Sequence, residues 1–205
     1  RDLHYPLRRQ RQMCIRDRHN TTTIEFGGYM QIYLSTLTEV DYDTSLDSIE
    51  NNYDQNPEMS WKDRARVKHL RKSENYNYEL EVIAKNDSND VVGHVMLAEV
   101  SLFSQSREEV ALAISALSVD ATVRNQGLGK ALLNAVEERA NNQGYKAIFV
   151  NCHSEYFKQV GYEEAKQFHI SMENVSVENP LLVKLLKPYP NEWSSMVVHY
   201  PEVFY

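Results

Sequence analysis

Apolar and polar residues in this chain recur with two periods, and the changes between them mark its elements. A first strand is predicted from about Met30 to Leu37. The acidic stretch EVDYDTSLDSIENNY then reads as a helix, which Asn56-Pro57 breaks. SWKDRARVKHLRKSE continues as a second helix, with Trp61, Val67 and Leu70 on its apolar side. YELEVIAK and VVGHVMLAEVSLF, joined by the polar turn NDSND, predict two strands of a β-hairpin. EEVALAISALSVD is a third long strand, apolar almost throughout, as a central strand covered on both faces should be.

That strand runs directly into ATVRNQGLG and then a helix. Leu128, Ala131, Leu132, Ala135 and Val136 fall on one helical stripe, with Asn134, Glu137, Glu138 and Arg139 expected on the wet side. Gly144 sits where such a helix ends. KAIFVN follows as a short strand, and SEYFKQV as a brief helix ended by Gly161. The remainder, with Pro180, Pro188, Pro190 and Pro201, suggests further strands and an irregular C-terminus. The fold class is α+β, a mixed sheet flanked by helices, in a single domain over residues 30–205.

Composition agrees with an ordinary globular domain, at 42% hydrophobic and 25% charged over 205 residues. The first eighteen residues, RDLHYPLRRQRQMCIRDR, differ from the rest. MCIRDR resembles a translated transposon adapter, so residues 1–18 are expected to be adapter-derived or disordered. A basic tail for nucleic acid or membrane, or a targeting peptide, is the alternative; a secretory signal would need an apolar core that is missing. Without this segment's six Arg and two Asp, the 22 basic and 29 acidic residues become 16 and 27, and net charge moves from −7 to −11. So acidic a body opposes nucleic acid and favours cationic partners. Two cysteines, Cys14 and Cys152, make neither a disulfide framework nor a zinc site, and no apolar run is long enough to span a membrane. A cytoplasmic protein without a metal is expected, monomeric or homodimeric.

The chemistry concentrates at the glycine-rich turn between a buried strand and a helix start, a natural anion site. A P-loop would need Gly where Arg124 stands and Ser or Thr where Ala131 stands; a dinucleotide fingerprint would need Gly at Leu132. The arrangement present is Arg-x-x-Gly-x-Gly, spelled Arg124, Asn125, Gln126, Gly127, Leu128 and Gly129, followed by Lys130. It is similar to the acetyl-CoA signature of the GNAT superfamily of N-acetyltransferases. YFKQVGYEEA, from Tyr156 to Ala165, resembles that family's aromatic pair followed by a Gly-aromatic ending. GHVMLAEV, ALSV, NPLLVKLL and the closing HYPEVF resemble small bacterial members of the YhbS type.

The resemblance implies a mostly antiparallel mixed sheet, splayed at an acetyl-CoA site. It implies cofactor contacts from the backbone of Leu117, Ser118 and Val119, from residues 124–130, and from Phe157. It further implies direct attack by a primary amine, of a small molecule or a peptide, on the thioester carbon. An oxyanion would be held by a backbone N–H, a base would deprotonate the ammonium, and an acid would protonate the thiolate. Many family members carry Tyr where this chain has Phe157, so either Tyr156 is the acid, or water is, or the activity is impaired. Glu99, a carboxylate in an apolar strand, is the candidate base, with His94 and His153 as further candidates. Cys152 beside His153 has nothing to orient it as a nucleophile. The Asp and Glu residues between Glu39 and Glu50 either line a cationic entrance or form a solvated helix face. The alternative to an enzyme is a non-catalytic acyl-CoA-binding module, which Phe157 keeps open.

Overall fold

Strand follows strand in space nearly as in sequence, because most connections are short enough to give antiparallel neighbours. The computed structural model describes residues 30–52, 57–74, 76–173, 175–188, 193 and 195–204, together with the backbone of 22–26. Residues 1–18, Asn56 and Pro190 lie outside the described residues. The elements are β1 (Thr22–Phe26), β2 (Met30–Thr36), α1 (Tyr42–Asn51), α2 (Pro57–Leu70), β3 (Glu81–Lys85), β4 (Val91–Phe103) and β5 (Glu108–Val119). They continue as α3 (Leu128–Asn142), β6 (Ala147–Val150), α4 (Ser154–Gln159), β7 (Glu163–Glu164), β8 (Ser171–Met172), β9 (Leu182–Leu185) and β10 (Val197–His199). The sheet order is β1-β2-β3-β4-β5-β6-β9-β7, while β10 pairs with the far end of β4 and with β8. Only β5–β6 and β10–β8 are parallel among the described pairings. This is the expected α+β architecture, a mostly antiparallel open sheet with helices on both faces.

β5 is covered on both faces, as its sequence demands. Leu112 and Ile114 join one core with α3, while Ala111, Ala113 and Ala116 join the other with α1, α2 and the C-terminal Trp193 and Val198. The sheet begins before residue 30, with β1 paired to β2. Tyr78–Leu80 forms a 3-10 turn instead of opening the next strand, because Asn77 accepts a hydrogen bond from the Glu79 N–H at 3.1 Å.

Two side chains depart from the helical pattern. The inward stripe of α2 is Ser60, Asp63, Val67 and Leu70. Trp61, one residue or about 100° off that stripe, is 65% exposed. In α3, Leu128, Leu132 and Val136 are buried, but Glu137 is buried too. Tyr162 Oη donates to its Oε1 at 3.0 Å and Lys184 Nζ to its Oε2 at 2.7 Å. A partner arriving from β9 thus overrides a polar position in the pattern.

Candidate functional site

β5 and β6 start as neighbours and then part. They pair only at Leu112↔Ile148 and Ala113↔Phe149. Just beyond, β5 holds one extra residue relative to β4: Met96 faces Ala116 and Leu97 faces Ile114, leaving Ser115 unmatched. A bulge bends its strand and increases its twist, which turns β5 away from β6. The bulge is pinned on both sides. Ser115 Oγ donates to the Met96 carbonyl at 3.0 Å, and Arg66 Nη1 donates to the Ser115 carbonyl at 2.9 Å. The gap opens into a cleft of about 840 Å³ that runs along Ile114–Val119 to the start of α3.

One end of the cleft is built from backbone. Asp120 accepts from the Thr122 N–H at 2.8 Å, and Arg124 Nε donates to the Val119 carbonyl at 2.9 Å. Arg124 Nη2 also donates to the Asn52 carbonyl at the end of α1. These contacts hold the turn so that Gly127, at φ 90°, becomes the N-cap of α3 with no side chain capping the helix. The first intrahelical bond runs from the Ala131 N–H to the Gly127 carbonyl at 3.0 Å. The N–H groups of Leu128, Gly129 and Lys130 therefore point out of the helix start, at the positive end of its dipole. Residues 124, 125 and 127–130 line the cleft; the Gln126 side chain turns back toward the Thr122 carbonyl.

The two glycines serve different purposes. A Cβ at Gly127 would meet nothing within 4 Å, so its backbone angle is what demands glycine. At Gly129 an added Cβ would lie 2.6 Å from Tyr156 Oη.

The rest of the wall is built from side chains. Tyr156 is half-buried against the first turn of α3, and its hydroxyl is buried with no hydrogen-bond partner. Burial, and then nearby Glu137, raise its pKa, so the phenol keeps its proton. Phe157 also touches the cleft, but it is a core residue, 2% exposed and edge-to-face with Tyr156 and Tyr162. Asp63 and Arg66 of α2 form a 2.8 Å ion pair in the wall, and Arg66 Nε donates to the Phe204 carbonyl at 3.1 Å. His153, in the left-handed region at φ 46°, lines the rim beside Cys152. Desolvation, and then Asp63, push the Cys152 thiol up to about 11, which keeps it a thiol.

A model of the acetyltransferase (GNAT) family matches residues 46–162. The chain belongs to that family. Among solved structures it is similar to YhbS from Escherichia coli in complex with CoA, at 18% identity and TM-score 0.71, over 88% of this chain and 96% of that one. A family acetyltransferase from Brucella melitensis in complex with acetyl-CoA matches at 15% identity and TM-score 0.64, over 84% and 97%. Arylalkylamine N-acetyltransferase 2 from Aedes aegypti matches at 12% identity and TM-score 0.51, over 76% and 99%. No curated protein matches the chain in sequence.

The remaining predicted residues divide clearly. Leu117, Ser118 and Val119 line the cleft together with residues 124, 125 and 127–130 and Tyr156, while Gln126 does not. Glu99 is not brought there: it accepts a 2.6 Å hydrogen bond from Tyr145 Oη, which explains how an apolar strand tolerates a carboxylate. His94 is fully buried behind the cleft, with Nε2 2.6 Å from Glu81 Oε1. Glu81 also takes Arg71 and Tyr76. Burial opposes its charge, but His94 and Arg71 more than compensate and hold its pKa at about 2. The acids of Glu39–Glu50 do not line the cleft; Asp47 and Glu50 pair with Arg64, and Asp41 with Lys85.

Asp63, Arg66 and Tyr200 were not anticipated in the site. For Asp63 a signal existed, since it shares the stripe of Val67 and Leu70. Among the described residues no group of three or more His, Cys, Asp or Glu is placed to hold a metal ion, and no helix is long and apolar enough to cross a membrane.

Proposed function

We propose that this chain transfers the acetyl group of acetyl-CoA to a primary amine of a small molecule or peptide, by direct attack on the thioester. The observation that carries the reading is the bulge-driven parting of β5 from β6, with an uncapped helix N-terminus at one end and an unpartnered tyrosine hydroxyl in its wall. The free N–H groups of Leu128, Gly129 and Lys130 suit a pyrophosphate. The β5 edge from Leu117 to Val119, unpaired by β6, suits the amides of a pantetheine arm. A backbone N–H on that edge would hold the thioester oxygen and bind it more strongly as charge develops. Tyr156, which keeps its proton, would deliver it to the departing thiolate. Solved family members hold CoA and acetyl-CoA. The acidic body favours a cationic acceptor through its long-range field.

The test is thiol release from acetyl-CoA across a panel of primary amines, beside calorimetric binding of acetyl-CoA. Binding with amine-dependent thiol release is expected. Binding without release for any amine would overturn catalysis and favour a non-catalytic acyl-CoA-binding module. No binding would overturn both.

A further inference from the structure

Among the described residues the Tyr156 hydroxyl has no hydrogen-bond partner, so no polar contact holds that ring in place. Its position is nevertheless close-set, since a Cβ added at Gly129 would lie 2.6 Å from its oxygen. Packing has to supply that position, and the packing is a row of three rings. Phe157 stands edge-to-face with Tyr156 at 5.2 Å and with Tyr162 at 5.3 Å between ring centroids. Phe157 and Tyr162 are each only 2% exposed, and a close-packed interior gives little room for either ring to move.

The row runs beside α3 and is tied down at its far end. Tyr156 meets the helix at Gly129, whereas Tyr162 meets it at Glu137, about 12 Å further along the axis. There Tyr162 Oη donates to Glu137 Oε1 at 3.0 Å. Glu137 is itself fixed, because Lys184 Nζ on β9 donates to its Oε2 at 2.7 Å and to the Val160 carbonyl at 3.2 Å. The same ammonium lies 5.5 Å over the Tyr162 ring. The Tyr162 N–H donates to the Phe157 carbonyl at 3.0 Å, which fastens the anchored ring to the end of α4. Glu137 therefore joins α3, β9 and the chain that follows α4, at a depth where a carboxylate persists only with such partners.

We propose that Glu137 is a positioning residue for Tyr156: held by Lys184, it fixes Tyr162, and through the Phe157 ring this anchor sets where the Tyr156 hydroxyl stands against the start of α3. This rests on the acetyl-transfer reading above, in which Tyr156 serves the departing thiolate. In that step the C–S bond breaks, the phenol proton passes to sulfur, and the proton lost by the new amide nitrogen restores the phenol. Glu137 touches none of these atoms. It acts on the distance over which the proton moves, and a small misplacement of a reacting group is costly in rate.

Tyr162→Phe cuts the tie to Glu137 while keeping all three rings. Acetyl-CoA affinity and the KM for the amine should hold, and kcat should fall by about 10-fold. Made in a Tyr156→Phe background, the same change should cost less than about twofold further, because the group it positions is already gone. A merely structural hydroxyl would take the same toll in both backgrounds. Equal losses in the two backgrounds, or no loss in the first, would overturn the positioning role.

A second measurement needs neither cofactor nor turnover. In protein carrying carbon-13 at the tyrosine ζ position, the Tyr156 resonance is the one missing from Tyr156→Phe. It should move in Tyr162→Phe, although the two hydroxyls share no hydrogen bond. A Tyr156 resonance unmoved by that change would overturn the proposal. Wild-type protein that turned over no amine would instead overturn the transferase reading, and with it any part for Glu137 in the chemistry.

Discussion

Part of the cleft presents backbone amides of a single short stretch, Gly127 to Lys130; the rest of its wall presents side chains collected from α2, β5 and α4. The first part needs a backbone angle and an open helix start. The second needs distant residues to be held in register, and a buried charge network around Glu81 reaches Ser118 of β5 through its cross-strand partner His94. A backbone site can be spoiled without unfolding the protein. A side-chain site standing on buried charges would tie activity to stability.

The largest effect expected from breaking this contrast is Glu81→Gln. It leaves Arg71 buried without its carboxylate, at a cost on the order of 3–5 kcal/mol in denaturant unfolding. The pH dependence should change with it. Glu81's folded pKa is lowered from 4.5 to about 2, so its stabilisation is present above about 4.5 and lost as pH falls toward 2. Wild-type unfolding free energy should drop by on the order of 3 kcal/mol across that window from this group, and the Gln variant should lack that component. A variant as acid-sensitive as wild type would remove Glu81 from its role.

Next comes Gly127→Glu at the backbone end. A carboxylate beside the helix start should weaken acetyl-CoA binding by at least about 100-fold in calorimetry, since it repels phosphate where the helix dipole attracts it. The strain of φ 90° adds only about 1–2 kcal/mol to the folding cost. Undiminished affinity would show that the turn does not hold the cofactor.

Tyr156→Phe should separate what the backbone does from what the side chains do. The ring packing survives, so acetyl-CoA affinity should hold while kcat falls by roughly 10- to 100-fold. An unchanged kcat would pass the acid's role to water. The smallest effect is Trp61→Ala: exposed on α2, it should shift stability by no more than about 0.5 kcal/mol. A larger loss would restore Trp61 to the apolar face that the helical pattern assigned it.

Legibility follows the same division. The hairpin of β3 and β4, the buried strand β5 and the stripe of α3 could be read along the chain, because each reflects a local period. The turn at 124–130 was readable as a strand-to-helix junction for a related reason: a helix start made of consecutive free amides keeps its two glycines close in sequence. Glu99 and Glu137 misled in opposite directions. One looked functional in an apolar strand, and the other looked solvated on a helix. Each was decided by a partner elsewhere in the chain, Tyr145 for the first and Tyr162 with Lys184 for the second.

By itself, then, the sequence determined the α+β order, the position of the central strand and the glycine-bearing turn that opens α3. Local periodicity and backbone preference suffice for these. Only the tertiary structure decided where β5 leaves β6, that the Tyr156 hydroxyl lies beside Gly129, and that Ser118 stands in register with His94. Those depend on a one-residue bulge and on strand register, which arise between segments far apart in the chain and leave no period within any one of them.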